Sequence, residues 1–292
     1  MAAPHPCLIA VMGPTGCGKS SFISALAPGA AVVGHKLVSC TSEVHLVQTT
    51  IDGVPCVLID TPGFDDTKNS DTNTLRLIAN YLEIAHKKGQ LLNGIVYFHR
   101  ITDNRVGGVT AKNMRMFRSL CGDTALKNVT LCTTMWDIVN PRDAEQRETE
   151  LKDNFWKSMI TAGSNVVRHD GTTQSALDIV RPLLANEGVP VQLQEELADG
   201  VPLSDTASGA QLNEELRKLQ EAHRKEMQAL RVEMERASGQ KLRELEGELK
   251  QESAMLRQAQ EEQRKLLTER SSELEELKRQ LQQQPDRWCP IF

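Results

Sequence analysis

Eight residues near the start of the chain have the types and the spacing of a phosphate-binding loop. They occupy positions 13–20 and read Gly-Pro-Thr-Gly-Cys-Gly-Lys-Ser. The glycines allow the backbone to wrap so that several N–H groups point at one centre. Lys19 can reach the β- and γ-phosphates of a nucleotide, and the Ser20 hydroxyl can bind Mg²⁺. The predicted phosphate ligands are the loop and the residue after it: Gly13, Pro14, Thr15, Gly16, Cys17, Gly18, Lys19, Ser20 and Ser21.

The segments on both sides of this loop separate a phosphate site from a chance match in a glycine-rich turn. Residues 8–12 are all apolar, which is typical of a buried strand, and residues 21–26 are typical of the start of a helix. The positive end of that helix dipole would add to the N–H groups of the loop. The context therefore favours the phosphate site.

A second pattern that could do chemistry is Asp-Thr-Pro-Gly at positions 60–63, directly after the apolar segment 55–59. A carboxylate at the end of a buried strand, here Asp60, can hold Mg²⁺, usually through water. The N–H of Gly63 can contact a γ-phosphate and sense its loss. The alternative is a strand that ends in an ordinary Pro-Gly turn. Asp60 lies 40 residues after Ser20, and this spacing favours the metal site.

The elements that must position these motifs alternate along residues 7–185, which we assign to one domain, residues 1–185. The pattern predicts an α/β fold of the P-loop NTPase type, with a mostly parallel sheet flanked by helices. Residues 44–50 alternate polar and apolar side chains and meet the strand before Asp60 through an Asp-Gly turn, so we expect a hairpin there. The remaining predicted strands are 94–99, 129–133 and 165–168, and the remaining predicted helices are 72–88, 112–120, 141–160 and 173–184.

Composition excludes several classes of protein. The net charge of -5 gives no general attraction to nucleic acid. The seven cysteines are scattered without a Cys-x-x-Cys pair, which indicates reduced thiols and a cytoplasmic location. We find no signal peptide at the amino terminus and no apolar run long enough to cross a bilayer.

The C-terminal part differs in composition from the first 185 residues. Residues 186–210 are rich in Gly, Pro and Ser and predict a flexible linker. Residues 211–284 carry leucines at 3–4 spacing with interspersed charges, and the Ser-Gly pair at 238–239 interrupts the phase. This pattern predicts a coiled coil with one discontinuity, about 110 Å long if straight. The alternative is a lone charged helix held by i,i+4 ion pairs.

The tail, residues 285–292, ends in Cys289-Pro290-Ile291-Phe292. This is a C-a-a-X pattern, and a terminal Phe favours geranylgeranyl transfer. We therefore expect Cys289 to be prenylated and to attach the protein to a membrane. The alternative is a cysteine that lies at this position by chance.

Residues 7–185 resemble a GTP-binding domain (G domain) of the translation-factor-related class. Within that class they are most similar to the septin-like, or paraseptin, branch, which includes the immunity-associated GTPases and the chloroplast outer-envelope import GTPases. The resemblance rests on the phosphate loop, on the motif at 60–63 and on Thr134-x-x-Asp137, in that order and spacing. It implies GTP or GDP and Mg²⁺ as ligands, and a homodimer through the G domain, the coiled coil or both.

The resemblance also implies roles for single residues. Ser20, Asp60 and a threonine of the first switch segment would hold Mg²⁺; that threonine is Thr41, with Ser42 as the alternative. Asp137 would accept hydrogen bonds from guanine, although Met135 stands where the family usually has Lys. Thr134 precedes them, and His169, Asp170 and Gly171 occupy the positions that contact guanine O6 and N7.

Hydrolysis is where the chain departs from its relatives. Phe64 follows the motif at 60–63, where many such GTPases have a Gln that orients the attacking water. We expect hydrolysis by the chain alone to be slow, with Lys19, Thr41 and Gly63 taking part. The alternative is that hydrolysis needs groups supplied by a second molecule. Arg100 or Arg105 could act in that way across a dimer.

The function predicted from the sequence is a GTP-binding switch with slow hydrolysis at the cytosolic face of a membrane. The first alternative is a septin-like scaffold whose assembly GTP controls with little hydrolysis. The second is an ATP-using P-loop enzyme such as a small-molecule kinase, for which no residues indicate a second substrate pocket.

Overall fold

A mixed sheet of six strands lies at the centre of the first 185 residues, in the order β2-β3-β1-β4-β5-β6. The computed structural model describes residues 6–29, 44–65, 70–103, 107–268 and 270–282. Every neighbouring pair is parallel except β2 and β3, which form the predicted antiparallel hairpin. The strands are β1 Cys7–Met12, β2 His45–Ile51, β3 Val54–Asp60, β4 Gly94–Arg100, β5 Val129–Thr134 and β6 Asn165–Arg168.

Helices cover both faces of this sheet. Alternate residues of β1 point to opposite faces, so that Ile9 packs against one layer of helices and Leu8 against the other. Burial on both faces explains why the central strands are continuous apolar runs. Helices α1 and α6 cover one face, and α2 to α5 cover the other. Their bounds are α1 Lys19–Leu26, α2 Asp71–Lys87, α3 Gly108–Ala125, α4 Pro141–Glu150, α5 Lys157–Thr161 and α6 Thr173–Leu184.

The long helix predicted over 141–160 is interrupted. A π-helical turn, Leu151–Phe155, separates α4 from α5. The N–H of Trp156 bonds to the carbonyl of Leu151, 2.7 Å away, and the Trp156 side chain is fully buried. The turn widens the helix by one residue and turns the indole into the core, a shift that helical periodicity alone does not reveal.

The segment 186–210 is not the flexible linker that its composition predicts. It contains helix α7, Gln192–Ala198, in which Leu193 and Gln194 are fully buried. The Gln194 side chain donates to the carbonyl of Leu82 at 3.2 Å and accepts from the N–H of Val191 at 3.0 Å. The glycines and prolines of segment 186–210 mark turns around α7. The apolar residues of the segment join the core that α2 and α3 form.

Residues 211–284 do not form one straight helix about 110 Å long. The region divides into α8 Ala207–Met234, α9 Gly239–Leu267 and α10 Ser271–Gln282. The first two form an antiparallel hairpin, in which Gln220 contacts Gln263 and His223 contacts Glu252. The chain reverses at the predicted discontinuity, where Gly239 has a left-handed φ of 61°. Within the described ranges, no helix combines the length and apolarity that a membrane crossing requires.

The helical hairpin packs back onto the domain that contains the sheet. Leu212 and Leu216 of α8 belong to the same apolar core as α2 and α3, so the leucine seam is used inside the chain. This contact explains why the extended stalk is wrong. The leucine spacing shows that one face of each helix is buried, but it does not show which surface buries it.

A polar cluster joins α2 to the start of α10, and we call it the α2–α10 clamp. It consists of Arg76, Asn80, Glu83, Arg270 and Glu273. The Arg76 guanidinium is almost fully buried, pairs with the Glu273 carboxylate at 2.7 Å and also donates to the carbonyl of Thr268 at 2.8 Å. Arg270 donates to Asn80 at 2.6 Å and pairs with Glu83 at 3.0 Å.

Replacing Arg76 with Met should loosen α10 because the substitution keeps the aliphatic stem and removes the guanidinium. Hydrogen bonds to charged groups contribute about 1.5–3 kcal/mol, and partial exposure of Glu273 reduces this, so we expect the free energy of unfolding to fall by about 2 kcal/mol. Hydrogen exchange followed by mass spectrometry should show a larger increase in exchange for α10 than for the sheet.

The matched control is Arg279→Met, because Arg279 lies on the same helix but is exposed and pairs with Glu276. It should leave the exchange of α10 near that of the parent. Equal protection of α10 in Arg76→Met and in the parent would contradict the role given to the clamp.

Candidate functional site

The phosphate loop begins where β1 ends and leads into α1, so it lies at the carboxyl edge of the parallel strands. Gly13 has a φ of 139°, and a Cβ there would lie 2.5 Å from the backbone oxygen of Phe98 on β4. Only glycine fits so close an approach. Gly16 and Gly18 also have left-handed φ values, 74° and 99°, which give the loop its turns. The loop therefore has the tight backbone path that the sequence predicts.

Lys19 is folded over this loop. Its ammonium donates to the carbonyls of Gly13 at 2.9 Å and Pro14 at 2.8 Å, and the side chain is buried. Cys17 lies beneath it with no exposed surface. Burial raises the pKa of the Cys17 thiol although Lys19 opposes the shift, so this thiol stays protonated and serves as packing.

Ser20 and Asp60 meet beside the loop. The Ser20 hydroxyl donates to Asp60 Oδ2 at 3.1 Å, and burial raises the pKa of the Asp60 carboxyl against the opposing charge of Lys19. The second oxygen, Asp60 Oδ1, is buried and has no hydrogen-bond partner in the described part of the chain. An unpartnered carboxylate oxygen beside a hydroxyl fits Mg²⁺, which prefers oxygen ligands and keeps phosphate and water in its shell.

No cluster of three metal-binding side chains accompanies this pair within the described ranges. Mg²⁺ commonly keeps several waters and binds through one or two carboxylates together with phosphate oxygens. Thr41 and its alternative Ser42, the remaining predicted ligands, lie outside the described residues.

The segment after Asp60 rests directly on the phosphate loop. Thr61 holds it in place, because its hydroxyl donates to the carbonyl of Val11 at 2.9 Å. A Cβ on Gly63 would lie 2.6 Å from the nitrogen of Thr15, so the two backbones touch. The Phe64 side chain points the other way, into the core, and is 3% exposed. Its position cannot orient a water at the loop.

The predicted base-reading motif follows β5 on the same edge of the sheet. The Thr134 hydroxyl is buried and donates to the carbonyl of Cys17 at 2.9 Å, which ties this motif to the phosphate loop. Met135 has a left-handed φ of 63°. Asp137 follows in a 3-10 turn, Trp136–Ile138, and its side chain is exposed. An exposed carboxylate at this edge is available to accept two N–H donors from a base.

His169 and Asp170 lie next to this motif because β6 pairs with β5. The His169 N–H donates to the carbonyl of Thr133 at 2.8 Å, and its Nδ1 contacts Ser175 at 3.0 Å. Burial lowers the pKa of His169 and keeps the ring neutral. These two groups of His169 are engaged within the protein, and contact of His169, Asp170 or Gly171 with guanine stays a prediction. Asp170 is exposed and accepts from Thr172 within a turn.

The Trp136 ring beside Asp137 is in contact with Arg168, and the sequence does not predict this contact. The Arg168 guanidinium lies 3.9 Å from the centre of the Trp136 ring, and Trp136 donates to the Thr133 hydroxyl at 3.0 Å. Glu148 of α4 holds Arg168 at 2.6 Å. Only the register of β5 against β6, which places Thr133 opposite Arg168, brings these residues together.

Two further charged residues reach the loop. Arg100 donates to the carbonyl of Thr15 at 3.3 Å and pairs with Asp103 at 3.1 Å. The Asp65 carboxylate accepts from the N–H of Thr15 at 2.8 Å. Arg105, the other arginine considered for catalysis, lies outside the described residues.

A phosphate loop, a buried carboxylate on the adjacent strand and an aspartate after β5 share one edge of a mostly parallel sheet. Together they define the G domain of a P-loop GTPase. Residues 8–118 match the family model described as 50S ribosome-binding GTPase, a match that spans less than half of the chain. The chain thus contains a GTP-binding G domain.

Curated relatives agree with this class. The chain is similar to GTP-binding protein A of Dictyostelium discoideum, with 26% identity over 139 residues, which is 47% of this chain and 30% of that protein. It is also similar to the tRNA modification GTPase MnmE of Pelagibacter ubique (strain HTCC1062), with 38% identity over 61 residues, 21% of this chain and 14% of that protein. The matches thus span less than a third of either relative.

Toc33 from Arabidopsis thaliana, in complex with Mg²⁺ and GMPPNP, aligns with a TM-score of 0.49 and 18% identity. The alignment covers 62% of this chain and 83% of that chain.

Asp137→Asn should weaken GTP binding and relax the choice of base towards xanthine nucleotides. A carboxylate accepts from both N1–H and N2–H₂ of guanine, whereas an amide replaces only part of that contact. Charge-assisted bonds of this kind contribute about 1.5–3 kcal/mol, so calorimetry should show a ten- to hundred-fold loss of GTP affinity.

Asp153→Asn is the matched control, because Asp153 is exposed and lies away from the site. Lys19→Ala provides the reference for loss of all nucleotide binding, since Lys19 is the buried cation over the loop. An unchanged preference for GTP over XTP in Asp137→Asn would show that Asp137 does not read the base.

Proposed function

We propose that this chain is a GTP-binding switch that hydrolyses GTP slowly. The observation that carries the proposal is the contact between Gly63 and Thr15, which joins the phosphate loop to the segment that leads into α2. A group that enters or leaves beside Thr15 must move this segment. Such coupling between a phosphate site and a neighbouring helix is what a switch needs.

The residues of the site have separate roles in this proposal. The N–H groups of the loop and the Lys19 ammonium hold the phosphates, and Ser20 and Asp60 hold Mg²⁺, with Thr41 as the proposed further ligand. Mg²⁺ bound there would neutralise charge on the phosphate oxygens. Asp137 accepts from guanine, and the reaction is the attack of water on the γ-phosphate.

Slow hydrolysis follows from the place of Phe64. A buried hydrocarbon ring cannot position a water, and positioning supplies much of the rate in this reaction. Arg100 lies near the loop but is held by Asp103. We therefore propose that a second copy of the chain completes the site in a homodimer. Since α8 and α9 pair with each other, a contact between G domains is the simpler of the two routes to that dimer.

The alternative is a scaffold whose assembly depends on GTP with little hydrolysis. Two observations favour it: Phe64 is buried, and the hairpin exposes apolar side chains at Leu219 and Val232, which are 46% and 48% exposed. Exposed apolar side chains on a helical surface can contribute to contacts between copies.

Phosphate release distinguishes the two functions. A G domain with its own glutamine hydrolyses GTP at about 3–5 × 10⁻⁴ s⁻¹, so for the purified protein we expect about 10⁻⁴ s⁻¹ over several turnovers. Lys19→Ala gives the background. A change in size with GTP, measured by light scattering, together with no turnover would support the scaffold. Turnover near 10⁻² s⁻¹ by dilute monomer would contradict the role given to Phe64.

Membrane attachment through Cys289 is part of the proposal, although Cys289 lies outside the described residues. One prenyl chain gives only marginal, reversible binding, so a dimer with two lipids would attach far more firmly. We expect Cys289→Ser to move the protein from the membrane fraction to the cytoplasmic fraction of cells. Cys121→Ser is the control, because Cys121 is buried in the core. Unchanged membrane association of Cys289→Ser would contradict the lipid anchor.

A further inference from the structure

Asp65 connects the phosphate loop to helix α2. Its carboxylate accepts from the N–H of Thr15 at 2.8 Å, and its own N–H donates to Asp71 Oδ1 at 3.0 Å. Asp71 is the first residue of α2 and pairs with Lys112 of α3. One residue therefore binds the loop with its side chain and the start of the switch helix with its backbone.

The backbone of Asp65 is strained. Its φ of 98° lies in a region that side chains other than that of glycine rarely adopt. Such a conformation is unfavourable and persists only where contacts hold it. The bonds to Thr15 and Asp71 are those contacts. Loss of the Thr15 bond therefore leaves the strained conformation with one contact fewer and favours another path for the segment.

Charge decides when that bond is lost. Thr15 belongs to a loop whose N–H groups converge on phosphate oxygens, so the carboxylate already places one negative charge at the phosphate site. It does so on the side where Gly63 touches Thr15, and we expect the γ-phosphate on this side because the N–H of Gly63 is its predicted contact. A third phosphate there would meet a like charge and a closed backbone contact. A diphosphate, which lacks this third group, would not.

We propose that Asp65 discriminates between nucleoside tri- and diphosphates, because its carboxylate occupies the γ-phosphate side of the loop and must leave Thr15 before a triphosphate fits. This inference rests on the proposed GTP-binding function. Departure of the carboxylate releases Asp65 from Thr15 and leaves its strained backbone held by the bond to Asp71. Asp65 is thus a specificity residue that favours GDP and links the choice of nucleotide to α2.

The main alternative is that Asp65 orients the attacking water, a task that Phe64 cannot perform. The two roles differ in the quantity that they change. A discriminating carboxylate sets the ratio of triphosphate to diphosphate affinity, whereas a water-orienting carboxylate sets the rate of hydrolysis and leaves that ratio unchanged.

The test measures the dissociation constants of the full chain for GDP and for GMPPNP, both with Mg²⁺, by calorimetry. Asp65→Asn keeps an acceptor for Thr15 and removes the charge. Asp65→Gly removes both and suits the positive φ, so it protects the test against misfolding. We expect the ratio of the GMPPNP constant to the GDP constant to fall about tenfold in both variants, because the repulsion between the carboxylate and the third phosphate is removed.

Asp199→Asn is the control, since Asp199 is exposed at the end of α7, and it should leave the ratio unchanged. A ratio that stays at the parent value in both Asp65 variants overturns the proposal. An unchanged ratio with a lost single-turnover rate assigns Asp65 to water orientation and also overturns it. A parent that binds neither nucleotide fails at an earlier step, because the GTP-binding function itself is then wrong.

Discussion

The site depends on one steric constraint, the close approach of the backbone at Gly13 to the carbonyl of Phe98. A side chain at Gly13 would meet that oxygen at 2.5 Å, so the end of β1 can lie against β4 only without one. This approach sets the path by which the loop leaves the sheet. The path in turn places Lys19 over the loop, Ser20 against Asp60 and the carbonyl of Cys17 within reach of Thr134. Each of these contacts is shorter than 3.2 Å, and the last two join β3 and β5 to the loop.

The same packing buries three titratable side chains near the loop, Cys17, Asp60 and His169. Burial raises the pKa of Asp60 and Cys17 and lowers that of His169, so each neutral form is favoured by desolvation. For Cys17 and His169 that neutral state is stable packing. For Asp60, burial favours the protonated carboxyl group, and a nearby cation would favour the charged carboxylate again. The burial that is unfavourable for the isolated carboxylate thus makes the site respond to Mg²⁺.

The parts of the structure that the sequence predicts well are those in which cause and effect lie close together in the chain. The phosphate loop, its strand and its helix occupy one short segment, and the hairpin of β2 and β3 follows from an Asp-Gly turn. Contacts between segments that are distant in the chain cannot be predicted in this way. Nothing in the sequence links Arg168 to Trp136, because their contact needs the register of β5 against β6. The sequence does not predict α7 either, because the glycines and prolines around its apolar residues are typical of a linker.

The α2–α10 clamp has a consequence for the order in which the chain folds. Arg76 and Glu273 are separated by 197 positions, whereas α8 and α9 pair across a short reversal. Contacts with so large a sequence separation form late, because the intervening chain must first be ordered. During synthesis the sheet and α2 emerge long before α10, so the G domain presents an unclamped α2 to the ribosome surface and to chaperones. The clamp can close only after α10 has been synthesised.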